Sequence, residues 1–327
     1  MRYSQSEKME IIRLVETSEV SVKRTLKELG INRSTFYKWY QRYLEDGYEG
    51  LVNKYHPPRQ FWNAVPPGER EKIVEVALEY PEKSPRELAW YITDTRGYYV
   101  SESTVYRILK AHDLVTSPVY TVLTARDKFF EPTKAVNELW QTDFTYLKVI
   151  GWGWYYLSTV LDDYSRYILA WRLCSGMSAD EAKVTVNEAI RATGIQYSKV
   201  IDRPRLLSDN GPCFVSQAFE EYLETEGIGH IRCKPYHPMT QGKIERYHRS
   251  MKNIIRLDNY YFPSELEDQI RLFVTHYNNE RYHEALDNLT PADVFHGRDR
   301  EIKARRAQIK EKTMRLRRAQ YCSLRIV

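Results

Sequence analysis

Hydrophobic and polar residues follow two different periods along the chain, and the period changes near Leu139. Before that point, apolar residues recur every three or four positions in residues 7–43 and again in 69–110, the spacing of amphipathic helices. After it, β-branched and aromatic residues dominate three consecutive segments, residues 140–150, 154–161 and 167–174. We therefore predict an all-helical first part and a second part that opens with three antiparallel strands.

The remaining elements follow from the same patterns. We predict helices at 178–193, 216–227, 241–257 and 264–277, and short buried strands at 205–208 and 230–233. This order, three strands followed by alternating helices and strands, indicates a mixed five-stranded α/β sheet flanked by helices. The predicted fold class is thus α/β, preceded by all-α modules.

The helical part contains two candidate helix-turn-helix motifs. In the first, Gly30 can end one helix and Asn32 can cap the next, which would leave an outward face suited to a major groove: Arg33, Ser34, Thr35 and Lys38. In the second, Ser84-Pro85-Arg86-Glu87 begins one helix and Ser101 the next, whose outward residues are Ser103, Thr104, Arg107 and Lys110. A helical bundle or spacer without a DNA role remains an alternative for each.

Proline-dense segments around Pro57 and Pro66 predict a linker between the two motifs. Since domains average roughly 150 residues, 327 residues allow two or three of them. We expect a first helix-turn-helix domain at 1–53, a linker at 54–68, a second helical domain at 69–120, a catalytic core at 121–297 and a basic helical tail at 298–327.

The net charge of +5 is concentrated in this tail. Residues 298–318 hold ten Lys and Arg against three Asp and Glu, which leaves 39 against 41 elsewhere. Such a stretch is typical of a segment that contacts a polyanion, although a solvated helix has the same composition. Ile302, Ile309 and Leu316 recur every seven residues, but the d-type positions of the same heptads hold the charged residues Arg305 and Lys312. A coiled coil is therefore only weakly supported.

The composition excludes several classes of protein. No segment approaches the roughly 18 apolar residues of a membrane span, and the first residues lack a signal-peptide core. The four cysteines are far apart and include no Cys-x-x-Cys pair, so we expect reduced thiols rather than a zinc ribbon or a disulfide framework. We therefore expect a protein that stays in the compartment that made it and is not associated with a membrane.

Three carboxylates occupy positions that suit metal chemistry. Asp143 lies within the first predicted strand, Asp209 follows the short strand 205–208, and Glu245 lies early in a helix. Each alone has an ordinary explanation, since Asp-Asn-Gly is a common turn and an early Glu suits the helix dipole. The joint pattern is more specific, because 35 residues separate Asp209 from Glu245.

With these residues the chain resembles the retroviral-integrase superfamily, and within it the bacterial insertion-sequence transposases. The matching segments are Trp140-Gln141-Thr142-Asp143, residues 161–166, Ser208-Asp209-Asn210-Gly211, residues 235–238, Gly242-Lys243-Ile244-Glu245-Arg246, residues 277–283 and residues 289–292. Met239 departs from the Gln common in the family. The resemblance covers about residues 139–295 strongly, and it implies a ribonuclease-H-like core.

The resemblance implies a transposase that binds DNA ends, nicks them and joins the freed 3′-hydroxyls to target DNA. Asp143, Asp209 and Glu245 would hold two Mg²⁺ ions, for which Mn²⁺ can substitute, with Asp143 bridging both. Double-stranded DNA and further copies of the chain are the implied partners, and the bacterial cytoplasm, at the nucleoid, is the implied location. Basic residues near Glu245 would position phosphates: Lys243, Arg246 and Arg249.

Several neighbouring features have simpler interpretations. Asp162 and Asp163 are expected in a turn, and His237 and His248 could touch phosphate or be structural. The aromatic cluster Trp152, Trp154, Tyr155 and Tyr156 could stack on bases, but hydrophobic core is the favoured interpretation.

Three rival functions stay open. A tyrosine recombinase would suit the 26 tyrosines, but the chain's His-x-x-Arg, His56 to Arg59, falls in the linker. A DNA-binding regulator without catalysis would keep the fold, and a ribonuclease H would share the core without needing the helical modules.

Overall fold

The computed structural model describes residues 3–18, 20–53, 61–115, 133–199, 202–232 and 242–323. Its contacts divide the chain into two compact units, Met1–Phe61 and Trp62–Val327. Some predicted features lie outside the described residues: most of the linker with His56 and Arg59, Cys233, and the loop that contains His237 and Met239. None of the described helices is long and apolar enough to cross a membrane.

The first unit is helical, with α1 Gln5–Thr17, α2 Val22–Glu28, α3 Arg33–Asp46 and a 3-10 turn Gly47–Leu51. The Asn32 side chain accepts a hydrogen bond from the Ser34 backbone and begins α3, while Gly30, at φ 66°, makes the preceding turn. The core gathers one face of each helix: Ile12, Leu26, Phe36 and Leu51. The predicted split between α2 and α3 is therefore present.

The second unit begins with three packed helices, α4 Pro67–Glu79, α5 Pro85–Arg96 and α6 Glu102–Ala111. Ser84 and Glu87 form the predicted capping box, and Pro85 occupies the first turn of α5. Helix α4 starts at Pro67, so the last two residues of the predicted linker are helical. Val105 and Leu109 of α6 are buried against α4 and α5.

A five-stranded sheet forms the centre of the second unit, with β1 Leu139–Val149, β2 Gly153–Asp162, β3 Ile168–Cys174, β4 Arg205–Ser208 and β5 Gly229–Arg232. The strand order is β3-β2-β1-β4-β5, antiparallel from β1 to β3 and parallel from β1 through β4 to β5. This mixed sheet confirms the predicted fold class.

Helices cover both faces of the sheet: α7 Ala179–Thr193, α8 Pro212–Val215, α9 Gln217–Thr225, α10 Gly242–Ile255, α11 Pro263–Asn279 and α12 Pro291–Phe295, with 3-10 turns Ile195–Tyr197 and Glu284–Leu286. One core joins Trp140 and Val160 to α7 and α9, and the other joins Leu147 and Leu157 to α10 and α11. Alternate residues of each strand supply the two cores.

The Asp162 carboxylate holds the β2–β3 turn together, the role expected for it, whereas the Asp163 carboxylate contacts Thr133, Gln141 and Lys243 outside the turn. The Asp162 carboxylate accepts hydrogen bonds from the Ser165 backbone and hydroxyl and from the Asn137 backbone. Burial raises the pKa of Asp162, while these hydrogen bonds oppose that rise.

The basic tail forms a single helix, α13 Asp299–Ser323, which packs on α5 through buried polar side chains. Arg306 Nε and Nη2 lie 2.8 and 2.6 Å from the two Asp94 carboxylate oxygens. Arg317 donates to the Tyr98 hydroxyl and the Tyr99 carbonyl. The interpretation of the tail as a polyanion-binding segment is therefore wrong for Arg306 and Arg317, because both guanidinium groups are buried and hydrogen-bonded inside the protein.

The aromatic hairpin between β1 and β2 contradicts the sequence interpretation. Trp152 and Trp154 were expected in the core, but 59% and 53% of their surfaces are exposed, and Tyr146 is 52% exposed. The hydrophobic pattern could not show that the hairpin tip projects past the helices that cover the rest of the sheet.

Candidate active site

Asp143 and Asp209 lie on neighbouring parallel strands. The β1–β4 pairing aligns Leu139 with Arg205 and Gln141 with Leu207. Two residues further along β1, Asp143 lies close enough to Asp209, which directly follows the carboxyl end of β4, for its negative charge to contribute to raising the pKa of Asp209. The sheet topology thus brings together two carboxylates that are 66 residues apart in the sequence.

A tight turn fixes the Asp209 carboxylate. Its Oδ1 accepts a hydrogen bond of 2.9 Å from the Gly211 backbone. A Cβ on residue 211 would lie 2.9 Å from the same oxygen, which explains the glycine in Asp-Asn-Gly. Burial, and then the negative charge of Asp143, raise the pKa of Asp209, and the Gly211 hydrogen bond opposes the rise.

Glu245 and Asp143 face a common cleft. Glu245 lies in the first turn of α10, and with Asp143 it lines a cavity of about 300 Å³ whose other walls are the side chains of His248, Arg249, Lys252, Asn253 and Arg256. Asp209 does not line this cavity. Asp143 therefore adjoins both other carboxylates, one across the strands and one across the cleft.

Three polar side chains fix the start of α10 next to β1. Gln141 accepts a hydrogen bond of 3.1 Å from the Ile244 backbone and donates one of 2.7 Å to Asp163. Lys243 Nζ lies 2.6 Å from Asp163 Oδ2, and both side chains are largely buried. Lys243 thus anchors the helix that carries Glu245, and its charge is neutralised within the protein.

His248 is buried behind Asp143. Its Nδ1 lies 3.3 Å from Asp143 Oδ2, while Asp143 Oδ1 accepts a hydrogen bond from the Phe144 backbone. These two contacts restrict the rotamer of the carboxylate. The structure thus favours a positioning role for His248.

Oxygen donors around Asp143 match the preference of Mg²⁺ for carboxylates and water. Among the residues that the structure describes, no three His, Cys, Asp or Glu side chains form a compact metal-binding group. The fit rests instead on Asp143 adjoining both Asp209 and Glu245. Burial, and to a lesser extent the charge of Asp143, raise the pKa of Asp209, and a bound cation would offset both effects. In donor chemistry, these residues suit a divalent ion.

The predicted DNA-contact residues outside the core have mixed exposure. Arg33, Ser34 and Lys38 are exposed on α3 and Thr35 is half-buried, while on α6 Ser103, Arg107 and Lys110 are exposed and Thr104 is half-buried. Ser34 and Thr104 also make local hydrogen bonds, to Asn32 and to Ser101. Arg246 and Arg249 are exposed on α10.

The cleft contains two cationic residues that were not among the predicted contacts, Lys252 and Arg256. The helical pattern already places Lys252 on the face of Glu245 and Arg249, whereas Arg256 was missed. The signal for Arg256 was present, since position 11 after Glu245 falls on the same face of a helix.

Comparison with known families identifies the domains. Residues 133–238 and 226–291 match two descriptions of the integrase core domain. The chain carries an integrase core domain. Residues 2–52 and 35–109 match homeodomain-like domains, so the core follows helix-turn-helix domains. These matches confirm the predicted resemblance to the integrase superfamily.

Relatives of the chain include transposases and retroviral polyproteins. It is 24% identical to the transposase of transposon Tn552 from Staphylococcus aureus over 88% of this chain and 66% of that protein. It is 31% identical to the Gag-Pro-Pol polyprotein of Mason-Pfizer monkey virus over 36% of this chain and 6% of the polyprotein. The chain thus spans less than two thirds of the length of these relatives.

Solved structures with similar folds include the HTLV-2 integrase catalytic core in complex with magnesium, at 22% identity and a TM-score of 0.39, over 49% of this chain and 97% of that one. Another is the simian T-cell lymphotropic virus intasome in complex with a PP2A regulatory subunit, at 19% identity and a TM-score of 0.44, over 68% of this chain and 74% of that one.

Proposed function

We propose that the chain is a DDE-type DNA transposase, a metal-dependent polynucleotidyl transferase acting on the ends of an insertion sequence. The observation that carries this proposal is Asp143 adjoining both Asp209 and Glu245 inside an integrase core domain. In the first step, water attacks the phosphorus at the element's end and the bond to the 3′ oxygen breaks, which frees a 3′-hydroxyl. In the second, that hydroxyl attacks a phosphorus of target DNA and displaces another 3′ oxygen.

Asp143, Asp209 and Glu245 would together hold two Mg²⁺ ions, for which Mn²⁺ would substitute. Bound there, divalent ions supply activation of the attacking oxygen and stabilisation of the leaving oxygen. The protein's own contribution is placement: His248 holds the Asp143 carboxylate, Gly211 holds that of Asp209, and Gln141 fixes the start of α10.

Cations on α10 and directly after it suit the DNA backbone. Arg246, Arg249 and Arg256 are exposed and Lys252 is half-buried, and phosphate contacts of this kind position DNA without reading its sequence. Lys243 leaves the proposed contact set because Asp163 neutralises it. Base reading would belong to α3 and α6, through Arg33, Ser34, Thr35 and Lys38 and through Ser103, Thr104, Arg107 and Lys110.

Transposition joins two element ends, so we infer a homo-oligomer on double-stranded DNA, and the intasome among the similar structures accords with this inference. Because its substrate would be chromosomal DNA, we infer action at the bacterial nucleoid. Light scattering of the DNA complex tests the assembly; a fully active complex with one chain would contradict it.

The test of function compares the intact protein with Asp209→Asn and, as control, with Asp202→Asn, an exposed residue. The substrate is a labelled duplex from the borders of the encoding element, with Mg²⁺. We expect nicking and joining by the wild type and by Asp202→Asn, and DNA binding without either reaction by Asp209→Asn. Binding without reaction by the wild type would favour a regulator, and preference for RNA:DNA hybrid would favour a ribonuclease H.

A further inference from the structure

Three aromatic side chains on the β1–β2 hairpin are exposed to solvent, namely Tyr146, Trp152 and Trp154. Tyr146 and Trp154 contact each other across the strands, with ring centroids 5.3 Å apart and planes at 82°. A single exposed aromatic side chain such as Trp152 is ordinary, but the contacting pair Tyr146 and Trp154 forms a contiguous aromatic surface of the kind that marks a binding site.

This aromatic surface has a pocket. A cavity of about 260 Å³ lies between the hairpin and the end of α10, and Tyr146, Lys148, Trp154 and Arg256 are among the side chains that line it. The volume lies just below the roughly 300–1,000 Å³ of pockets for drug-sized ligands, which suits one planar ring system. Trp152 does not line the pocket.

Two cations connect the pocket to the carboxylates. Arg256 lines both this pocket and the cleft of Asp143 and Glu245. Lys252 lines the cleft, and its Nζ lies 4.4 Å from the centre of the Tyr146 ring. A ligand can therefore reach from the carboxylates to the aromatic rings along a path with positive charge.

The open edge of β1 explains how Tyr146, a strand residue, contacts the end of α10. β4 pairs with β1 from Leu139 to Gln141, and in the described part of the chain no strand pairs with that edge beyond Gln141. Tyr146 lies past this point. The end of α10 can therefore approach its ring from that side.

We propose that Tyr146 and Trp154 stack on an unpaired nucleobase of the DNA strand whose phosphate lies at the carboxylates, with Lys252 and Arg256 on the intervening phosphates. Aromatic faces beside a cationic path are the features that bind single-stranded nucleic acid. Lys148 and Lys252 argue against a second copy of the chain as the occupant, since the cores of protein interfaces are depleted in Lys. The inference rests on the proposed DNA substrate and adds that the DNA is unpaired next to the reacting bond.

The test measures binding separately from cleavage. All variants carry Asp209→Asn, and fluorescence anisotropy gives their affinity for a labelled single-stranded oligonucleotide and for the matching duplex. Because stacking contributes about 1–3 kcal/mol per base, Trp154→Leu should weaken single-strand binding about 5- to 150-fold. Trp154→Phe should retain most of it, and Trp152→Leu, on the same hairpin but outside the pocket, should bind like the parent.

A second readout places the base. 2-Aminopurine next to the scissile position of the duplex should be quenched on binding to the parent and to Trp152→Leu, and to a lesser extent on binding to Trp154→Leu.

Equal single-strand affinity for Trp154→Leu and Trp152→Leu would overturn the inference. So would a change of oligomeric state in Trp154→Leu with unchanged affinity, which would assign the surface to contacts between copies. If the parent shows no stacking while the wild type cleaves DNA, the stacking inference is wrong and the transposase proposal stands. If the parent shows stacking while the wild type cleaves no DNA, only the transposase proposal is contradicted.

Discussion

The Lys243 ammonium nitrogen lies 2.6 Å from the Asp163 carboxylate, and this buried pair joins the start of α10 to the end of β2. Asp163 also accepts hydrogen bonds from Gln141 and Thr133. The position of Glu245, two residues after Lys243, thus depends on a charge pair that is buried inside the protein.

Replacing Lys243 by Met should destabilise the protein by about 3 kcal/mol, because it leaves the Asp163 carboxylate buried without its cation. Thermal unfolding of the full chain measures the effect. Arg249→Met is the matched control, since it removes an exposed charge from the same helix and should change stability by about 0.5 kcal/mol or less. Equal stability of the two variants would contradict the anchoring role.

Gly211→Ala should reduce DNA nicking about 100-fold while leaving the fold intact. The added Cβ would lie 2.9 Å from Asp209 Oδ1 and push the carboxylate out of place, and misplacement by about 1 Å can cost that much in rate. Gly176→Ala has no atom within 4 Å of its new Cβ and should retain wild-type activity. Unchanged nicking by Gly211→Ala would show that the position of the Asp209 carboxylate is not critical.

Arg306→Met should release α13 from α5, because it leaves Asp94 without its partner in a largely buried site. Hydrogen exchange of the α13 amides should accelerate at least tenfold. Arg305→Met removes the neighbouring exposed charge and should leave the exchange of α13 unchanged. Similar exchange in both variants would show that the contact with Asp94 does not hold the tail.

Acid should weaken the fold through His283. Burial, followed by the charges of Arg281 and Arg166, lowers the pKa of His283 from 6.5 to about 3. Between these two pKa values His283 is protonated in the unfolded chain but neutral in the folded one. Its contribution to the free energy of unfolding is therefore fully present above pH 6.5 and is lost as the pH falls toward 3.

Unfolding midpoints between pH 7 and pH 4 check this prediction. His283→Phe should flatten the decline, because a phenyl ring can pack on Tyr277 without taking up a proton. His112→Phe, at an exposed position, should leave the decline as in the wild type. A decline of the same steepness in His283→Phe would assign the acid sensitivity to other groups.

Periodicity and turn residues were enough to predict the sheet and its flanking helices. β4 was predicted at its observed bounds, and α10 and α11 within two residues, because strand and helix periods are local properties. The short helix α8 was missed, since four residues cannot show a helical period.

Spacing and family resemblance were enough to predict the carboxylates of the candidate site, but not the contacts that position them. Asp143, Asp209 and Glu245 were selected from the motif, but the pairing of Lys243 with Asp163 depends on how α10 meets the end of β2, which no local pattern records. The same holds for Arg306, whose burial against Asp94 depends on contacts between residues more than 200 positions apart. A basic residue looks alike in sequence whether it faces DNA or a buried carboxylate.

The central claim is that Asp143, Asp209 and Glu245 together catalyse DNA strand transfer. Its most direct test supplies a labelled element end with a free 3′-hydroxyl and a plasmid target, in Mg²⁺, and measures joined product for the wild type, Glu245→Gln and the exposed control Glu224→Gln. We predict joining by the wild type and Glu224→Gln that chelation abolishes. Glu245→Gln should lose at least about 1,000-fold with DNA affinity retained, as expected when a ligand of an ion that stabilises transition-state charge is removed. Joining by Glu245→Gln at the wild-type rate, or joining that survives chelation, would contradict the account.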